Sequence, residues 1–195
     1  MSARAFVAVA VPPAVRDALA GATSPLRRPD AALRATAPAG WHLTLAFLGA
    51  LDDERLARVP TVVTEVLEQH APRPAPVLGL GAAGRFSDRV LLAHVHDDPP
   101  GSLGRLVAPL RAAFAALDVA VPPEGFRPHV TLARARGRRR VTAADAAALH
   151  VPTARWQPTA VGVWVASSVG SGPYEVRAEV PWPGSDAPSA GGSGG

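Results

Sequence analysis

The chain has 195 residues, 48% of them hydrophobic but only 5% aromatic, with a formal net charge of +4 and no cysteine. That length suits one domain or two small lobes sharing a core, and the lack of cysteine excludes disulfides and thiolate metal sites. All 20 basic residues are arginine; beside the abundant Ala, Gly and Pro this is a compositional bias, so the charge permits a polyanionic partner without arguing for one.

No stretch approaches the roughly 18 uninterrupted apolar residues of a membrane helix. The N-terminus opens directly on a strand-like run, residues 5–11, with no signal-peptide pattern, so a soluble, cytoplasmic protein is expected. Pro12-Pro13 marks a turn and opens a helix over residues 14–22, with Val15, Ala18 and Leu19 at helical spacing. Residues 24–40, rich in Pro, Arg and Ala, read as a loop. A buried strand over residues 41–48 stops at Gly49. Asp52, Asp53 and Glu54 then start a helix that runs through Leu56, Val59, Val63, Val66 and Leu67.

Pro72, Pro74 and Pro76 break that pattern. Strands over 77–80 and 90–95 follow, joined by a Gly-rich turn over 81–87, and Asp97-Asp98 reads as another turn. Ser102 or a neighbour caps a helix over 103–117, whose Leu103, Leu106, Val107, Leu110 and Phe114 fit a 3.6-residue period. A turn at 122–125 leads to a strand over 126–133, a basic loop over 134–140 and a short helix over 142–149. Strands over 160–167 and 174–180 flank a turn at 170–173. Mixed order with two hairpin-like pairs predicts an α+β protein rather than a doubly wound parallel sheet. Residues 1–183 read as one bilobal domain and 184–195, dominated by Gly, Ser, Ala and Pro, as a disordered tail.

The informative feature is an echo. His42-Leu43-Thr44-Leu45-Ala46 and His129-Val130-Thr131-Leu132-Ala133 repeat one pattern about 87 residues apart. With six histidines and nine threonines in the chain, roughly 0.3 chance His-x-Thr matches are expected; two, both in apolar runs and both continued by Leu-Ala, argue against accident. In a strand, residues two apart share a face. His42 therefore projects with Thr44, and His129 with Thr131, while Leu43, Leu45, Val130 and Leu132 face the core.

Two imidazoles across one cleft suit general acid–base chemistry, because histidine titrates near neutrality and can serve in either protonation state. Threonine hydroxyls can bond oxygens on which charge develops, and arginines can clamp an anion. A phosphodiester fits, since its cleavage moves protons at both ends.

With Phe47-Leu48-Gly49 after the first motif and Phe126-Arg127-Pro128 before the second, the chain resembles the two-histidine phosphoesterase superfamily. The closer resemblance is to its RNA 2′,3′-cyclic phosphodiesterase branch, the LigT-like or 2′-5′ RNA ligase family, over residues 4 to about 182. That resemblance implies a bilobal α+β fold: two antiparallel or mixed sheets form a central cleft, with helices on the outer faces. It implies metal-independent opening of a 2′,3′-cyclic phosphate at the end of an RNA or nucleotide, leaving a 2′-phosphomonoester. His42 resembles the proton donor to the 3′ oxygen, His129 the base that activates water, and Arg134 an arginine at the phosphate. No cofactor, metal, membrane or protein partner is implied, and a monomer is expected.

Simple alternation gives Arg134 the opposite parity from His129, so it reaches the cleft only through a bulge, whereas Arg127 has the right parity unaided. Phe47 has core parity, which favours packing over stacking on a base. His94-x-His96 lacks a third ligand at a telling spacing and reads as two solvent-facing histidines. His70 and His150 fall near helix ends. The 134–140 run divides evenly between an RNA grip and a solvated loop, and Tyr174 reads first as strand packing. No Walker-type loop is present. Rival readings are 2′-5′ RNA ligation by the reverse reaction, a non-catalytic RNA-binding module and a histidine-based metal hydrolase.

Overall fold

The computed structural model describes residues 2–28, 31, 33–119, 125–166 and 174–185. Among them the strands are β1 (Ser2–Ala10), β2 (Leu33–Ala35), β3 (His42–Asp52), β4 (Val77–Phe86), β5 (Val90–Asp98), β6 (His129–Ala135), β7 (Arg155–Trp156), β8 (Ala160–Ala166) and β9 (Tyr174–Pro181). The α-helices are α1 (Pro13–Ala22), α2 (Asp53–His70), α3 (Ser102–Ala115) and α4 (Ala143–Ala147). The expected α+β class holds. The turns expected at 122–125 and 170–173 fall largely or wholly outside the described residues, as does nearly all of the expected tail.

All described ladders are antiparallel, in the spatial order β7-β4-β5-β6-β3-β1-β8-β9, with β2 also against β6. The two expected sheets are joined edge to edge. β3 meets β6 through the Cα pair Leu43–Val130. Outward from that seam the halves repeat each other, β3-β1-β8-β9 on one side and β6-β5-β4-β7 on the other.

Leu43 and Val130 are both fully buried in the main core, where Val59, Val63, Val66 and Leu67 of α2 and Leu103, Leu106, Leu110 and Phe114 of α3 meet the sheet. The apolar stripes of both helices are spent on this contact. Asp52 caps α2 by accepting from the Arg55 amide at 2.8 Å. α3 is capped from a distance: Asp97 accepts from the amides of Gly101 (3.0 Å) and Leu103 (2.7 Å). Asp97 and Asp98 therefore end β5 rather than forming a separate turn.

Bulges decide what reaches the other face of the sheet. Against β1, β3 pairs Thr44 with Ala8 and then Ala46 with Val7, leaving Leu45 unpaired. Against β5, β6 pairs Thr131 with Leu92 and then Ala133 with Leu91, leaving Leu132 unpaired. The extra residue is the same one in both motifs. Each bulge inverts the alternation after it, so consecutive residues are buried in each copy, Leu45 with Ala46 and Leu132 with Ala133. Phe47 and Arg134, each five residues beyond its histidine, are thereby turned to the cleft. The core packing expected for Phe47 is corrected: it is 54% exposed.

Three further expectations change. β3 does not stop at Gly49 but passes through it, because glycine adopts φ +68° without a Cβ penalty and the register shifts there. The Gly-rich 81–87 stretch is mostly strand, and the turn is confined to 87–89. Its glycines make room: a Cβ on Gly81 or Gly84 would overlap the rings of His96 and His94 on β5. The 24–40 loop contains β2, whose Leu33 is buried with Leu91, Ala133 and Val141 in a second small core.

Candidate active site

The seam between β3 and β6 fixes the four motif side chains. Carried one residue either way, the Leu43–Val130 register sets His42 across from Thr131 and Thr44 across from His129. Leu43 and Val130 face the core, so those four residues share the opposite face. They line one cavity of about 460 Å³ together with Arg127 and Arg134. All six residues singled out by sequence thus meet, Arg134 by way of the bulge that simple alternation lacks.

Both imidazoles are anchored in the same way. Nδ1 of His42 lies 2.7 Å from the Gly40 carbonyl oxygen, and Nδ1 of His129 lies 2.7 Å from that of Arg127. A carbonyl only accepts, so each Nδ1 carries the proton and donates it. This fixes the ring and leaves Nε2, in either ring, as the nitrogen available to a ligand.

Their surroundings differ. The His42 ring sits 4.6 Å from Phe6, 5.3 Å from Trp164 and 5.6 Å from Tyr174, centroid to centroid. Burial in this aromatic wall pushes its pKa down to about 4; the Gly40 carbonyl opposes the fall, while the charges of His129 and Arg134 add to it. Tyr174, expected to pack in its strand, meets Phe6 edge-on at 4.9 Å and completes the wall. On the other side, Phe86 lies nearly parallel to His129 at 6.4 Å. His94, the cross-strand partner of His129, is lowered in pKa by burial and then by the charges of His129, His96 and Arg127.

The remaining basic residues sort by partner. Arg139 pairs with Asp145 at 2.8 Å and Arg140 with Asp88 at 3.1 Å. Arg89 donates to the carbonyls of Gly137, Arg139 and Ala135, tying that loop down. Half of the 134–140 run is therefore structural, with Arg134 in the cleft and Arg136 and Arg138 exposed. Arg34 of β2 and Arg111 of α3 also line the cavity, and sequence reasoning missed both. His94 and His96 are exposed as expected. No group of three or more His, Cys, Asp or Glu among the described residues could hold a metal ion, and no described helix is long and apolar enough to cross a membrane.

An α+β chain with two His-x-Thr strands meeting at one cleft falls in a defined class. The model of the 2′-5′ RNA ligase superfamily matches residues 12–170, and the chain belongs to that superfamily. It is 29% identical over 143 residues to an RNA 2′,3′-cyclic phosphodiesterase of Methanothermobacter thermautotrophicus, covering 71% of this chain and 74% of that one. A crystal structure of a Thermus thermophilus protein superimposes with a TM-score of 0.67 at 27% identity, over 92% of this chain and 97% of the other. LigT of E. coli, crystallised with 3′-AMP, shares the fold with a TM-score of 0.73 at 24% identity, over 94% and 99% of the two chains.

Proposed function

We propose that the protein hydrolyses 2′,3′-cyclic phosphate ends of RNA or nucleotides to 2′-phosphomonoesters, using its two histidines as acid and base. The observation that carries this reading is the pair of Nδ1-anchored imidazoles flanking one seam, each with Nε2 left for the substrate. The phosphorus sits between them. Nε2 of neutral His129 takes a proton from water, whose oxygen forms the new bond to phosphorus. The bond to O3′ breaks in line, and Nε2 of protonated His42 delivers its proton there. The hydroxyls of Thr44 and Thr131 and the guanidiniums of Arg127 and Arg134 meet the non-bridging oxygens as charge accumulates on them.

In the free site His42 is neutral at pH 7, since burial holds it near pH 4. An anionic phosphate inside the same cleft favours the imidazolium and raises that pKa. Substrate binding is thus coupled to uptake of the proton that the leaving oxygen later receives. A buried acid of low intrinsic pKa gives its proton up readily once charged. The reverse reaction, joining a cyclic phosphate to a 5′-hydroxyl, uses the same groups, but water at its ordinary concentration favours hydrolysis.

The test is incubation of the protein with a 2′,3′-cyclic nucleotide in the presence of a chelator. The 2′-monophosphate is the expected product, with turnover unaffected by metal removal. Formation of the 3′-monophosphate would reverse the leaving-group assignment, and tight RNA binding without any monoester would leave a binding module only.

Exposed Phe47 offers a nucleobase a ring face at the mouth of the cleft, 6.1 Å from Phe6. Base–aromatic stacking is worth about 1–3 kcal/mol per base. Phe47→Ala is therefore expected to raise KM by roughly 5- to 100-fold with kcat little changed, and steady-state kinetics on a cyclic mononucleotide checks it. An unchanged KM would remove Phe47 from the substrate.

A further inference from the structure

We infer that Arg34 binds a second phosphate, the one carried on the 5′ oxygen of the terminal nucleotide, and so selects substrates that have one. The inference rests on the cyclic-phosphate reading above. Arg34 stands at the centre of β2, directly across from Arg134 in the register Leu33–Ala135, Arg34–Arg134, Ala35–Ala133. Like charges at directly opposed positions of an antiparallel pair destabilise it. Here the arrangement is nonetheless held firmly. Leu33 is buried against Leu91, Ala133 and Val141, and the Thr36 amide donates to the Leu132 carbonyl at 2.8 Å. Among the described residues, neither guanidinium has a carboxylate partner to offset the other. Both line the cavity that holds the two histidines.

A rigid strand that holds two unneutralised cations side by side in a cleft is completed by an anion with more than one charged group. The charge of Arg134 is felt at His42, which sets that guanidinium at the reacting phosphate. Arg34 faces it from β2, which lies along the same edge of β6 that meets β3 at Val130. In a nucleotide the group one ribose away from the 2′,3′-phosphate is the 5′-phosphate, and the planar guanidinium fork matches phosphate oxygens in pairs. The aromatic wall of Phe6, Trp164 and Tyr174 lies beyond His42, and the two arginines stand opposite each other on β2 and β6.

That 5′-phosphate is either a free monoester on a mononucleotide or an internucleotide diester in RNA, and binding measurements without turnover separate the two. Three probes are titrated calorimetrically: adenosine 2′-monophosphate, adenosine 2′,5′-bisphosphate and a diadenosine ending in a 2′-phosphate. Either of the last two should bind the wild-type protein about tenfold more tightly than the first; the tighter of them identifies the source. In Arg34→Gln that gain is expected to fall below about twofold, and the salt dependence of diadenosine binding to weaken by about one phosphate contact. Arg58→Gln, which removes the same charge from the outer helix α2, is expected to keep the gain. No gain in the wild type, a gain that survives Arg34→Gln, or an equal loss in both variants would overturn the subsite. Failure of the cyclic-phosphate reading would register separately, as absent hydrolysis in the chelator experiment.

Discussion

Replacing His42 or His129 with glutamine is expected to lower kcat by about 10²- to 10⁴-fold, the range that a positioned acid or base contributes. The fold should survive, because both rings lie on the cleft face while Leu43 and Val130, one residue further along, supply the buried contact across the seam. Glutamine approximates the imidazole in size and keeps a polar group, but it transfers no proton near neutrality. The two residues act in one step, on opposite sides of one phosphorus, so their losses should not add. The double variant is expected to be close to the worse of the two singles. Turnover at saturating cyclic nucleotide, with a thermal melt of each variant to confirm folding, decides the matter. Near-normal kcat in either single variant would sink the paired mechanism. A change confined to KM would reduce that histidine to a binding group.

The legible parts of this molecule are those set by local periodicity. The stripes Val59-Val63-Val66-Leu67 and Leu103-Leu106-Leu110-Phe114 announce helices because 3.6-residue spacing is a property of the segment alone. The repeated His-x-Thr announces a site because two rare residues recur at strand spacing. What stayed hidden depends on the partner strand. Arg134 and Phe47 change faces because Leu45 and Leu132 are left unpaired, and a bulge is decided by two ladders at once. A signal did exist, since both motifs continue Leu-Ala, two apolar residues in succession where alternation calls for one. Gly81 and Gly84 read as a turn because glycine is usually a statement about backbone freedom, whereas here it is a statement about the volume of His96 and His94. β2 and β7 are three and two residues long and are strands only because β6 and β4 pair with them. Arg34 had no periodicity to mark it, and Arg111 sat in a helix whose apolar stripe drew attention elsewhere.

The same burial that keeps His42 uncharged in the empty site should make the wild type unusually sensitive to acid, and His42→Gln should relieve it. The folded-state pKa is near 4 against 6.5 for the unfolded chain. Between those values the unfolded chain binds more protons, so stability falls as pH falls through this window. Above pH 6.5 the term vanishes, because both states hold a neutral ring. Below pH 4 it is fully developed, at up to about 3 kcal/mol from one pKa unit being worth 1.36 kcal/mol. His94 is lowered as well and contributes with the same sign. Asp52 and Asp145 have depressed values, so their stabilisation is lost only as pH falls below the carboxylate range, outside the window. The quantity that isolates His42 is therefore the difference between wild type and His42→Gln. In urea unfolding at pH 7.5, 5.5 and 4.5 that difference should move steadily in favour of the variant. Adding adenosine 2′-monophosphate should stabilise the wild type more at pH 5.5 than at pH 7.5, because the bound phosphate favours the imidazolium that the empty cleft resists. Parallel stability curves would mean that the His42 ring is solvated in the free protein, and the proton carried in with the substrate would then need another origin.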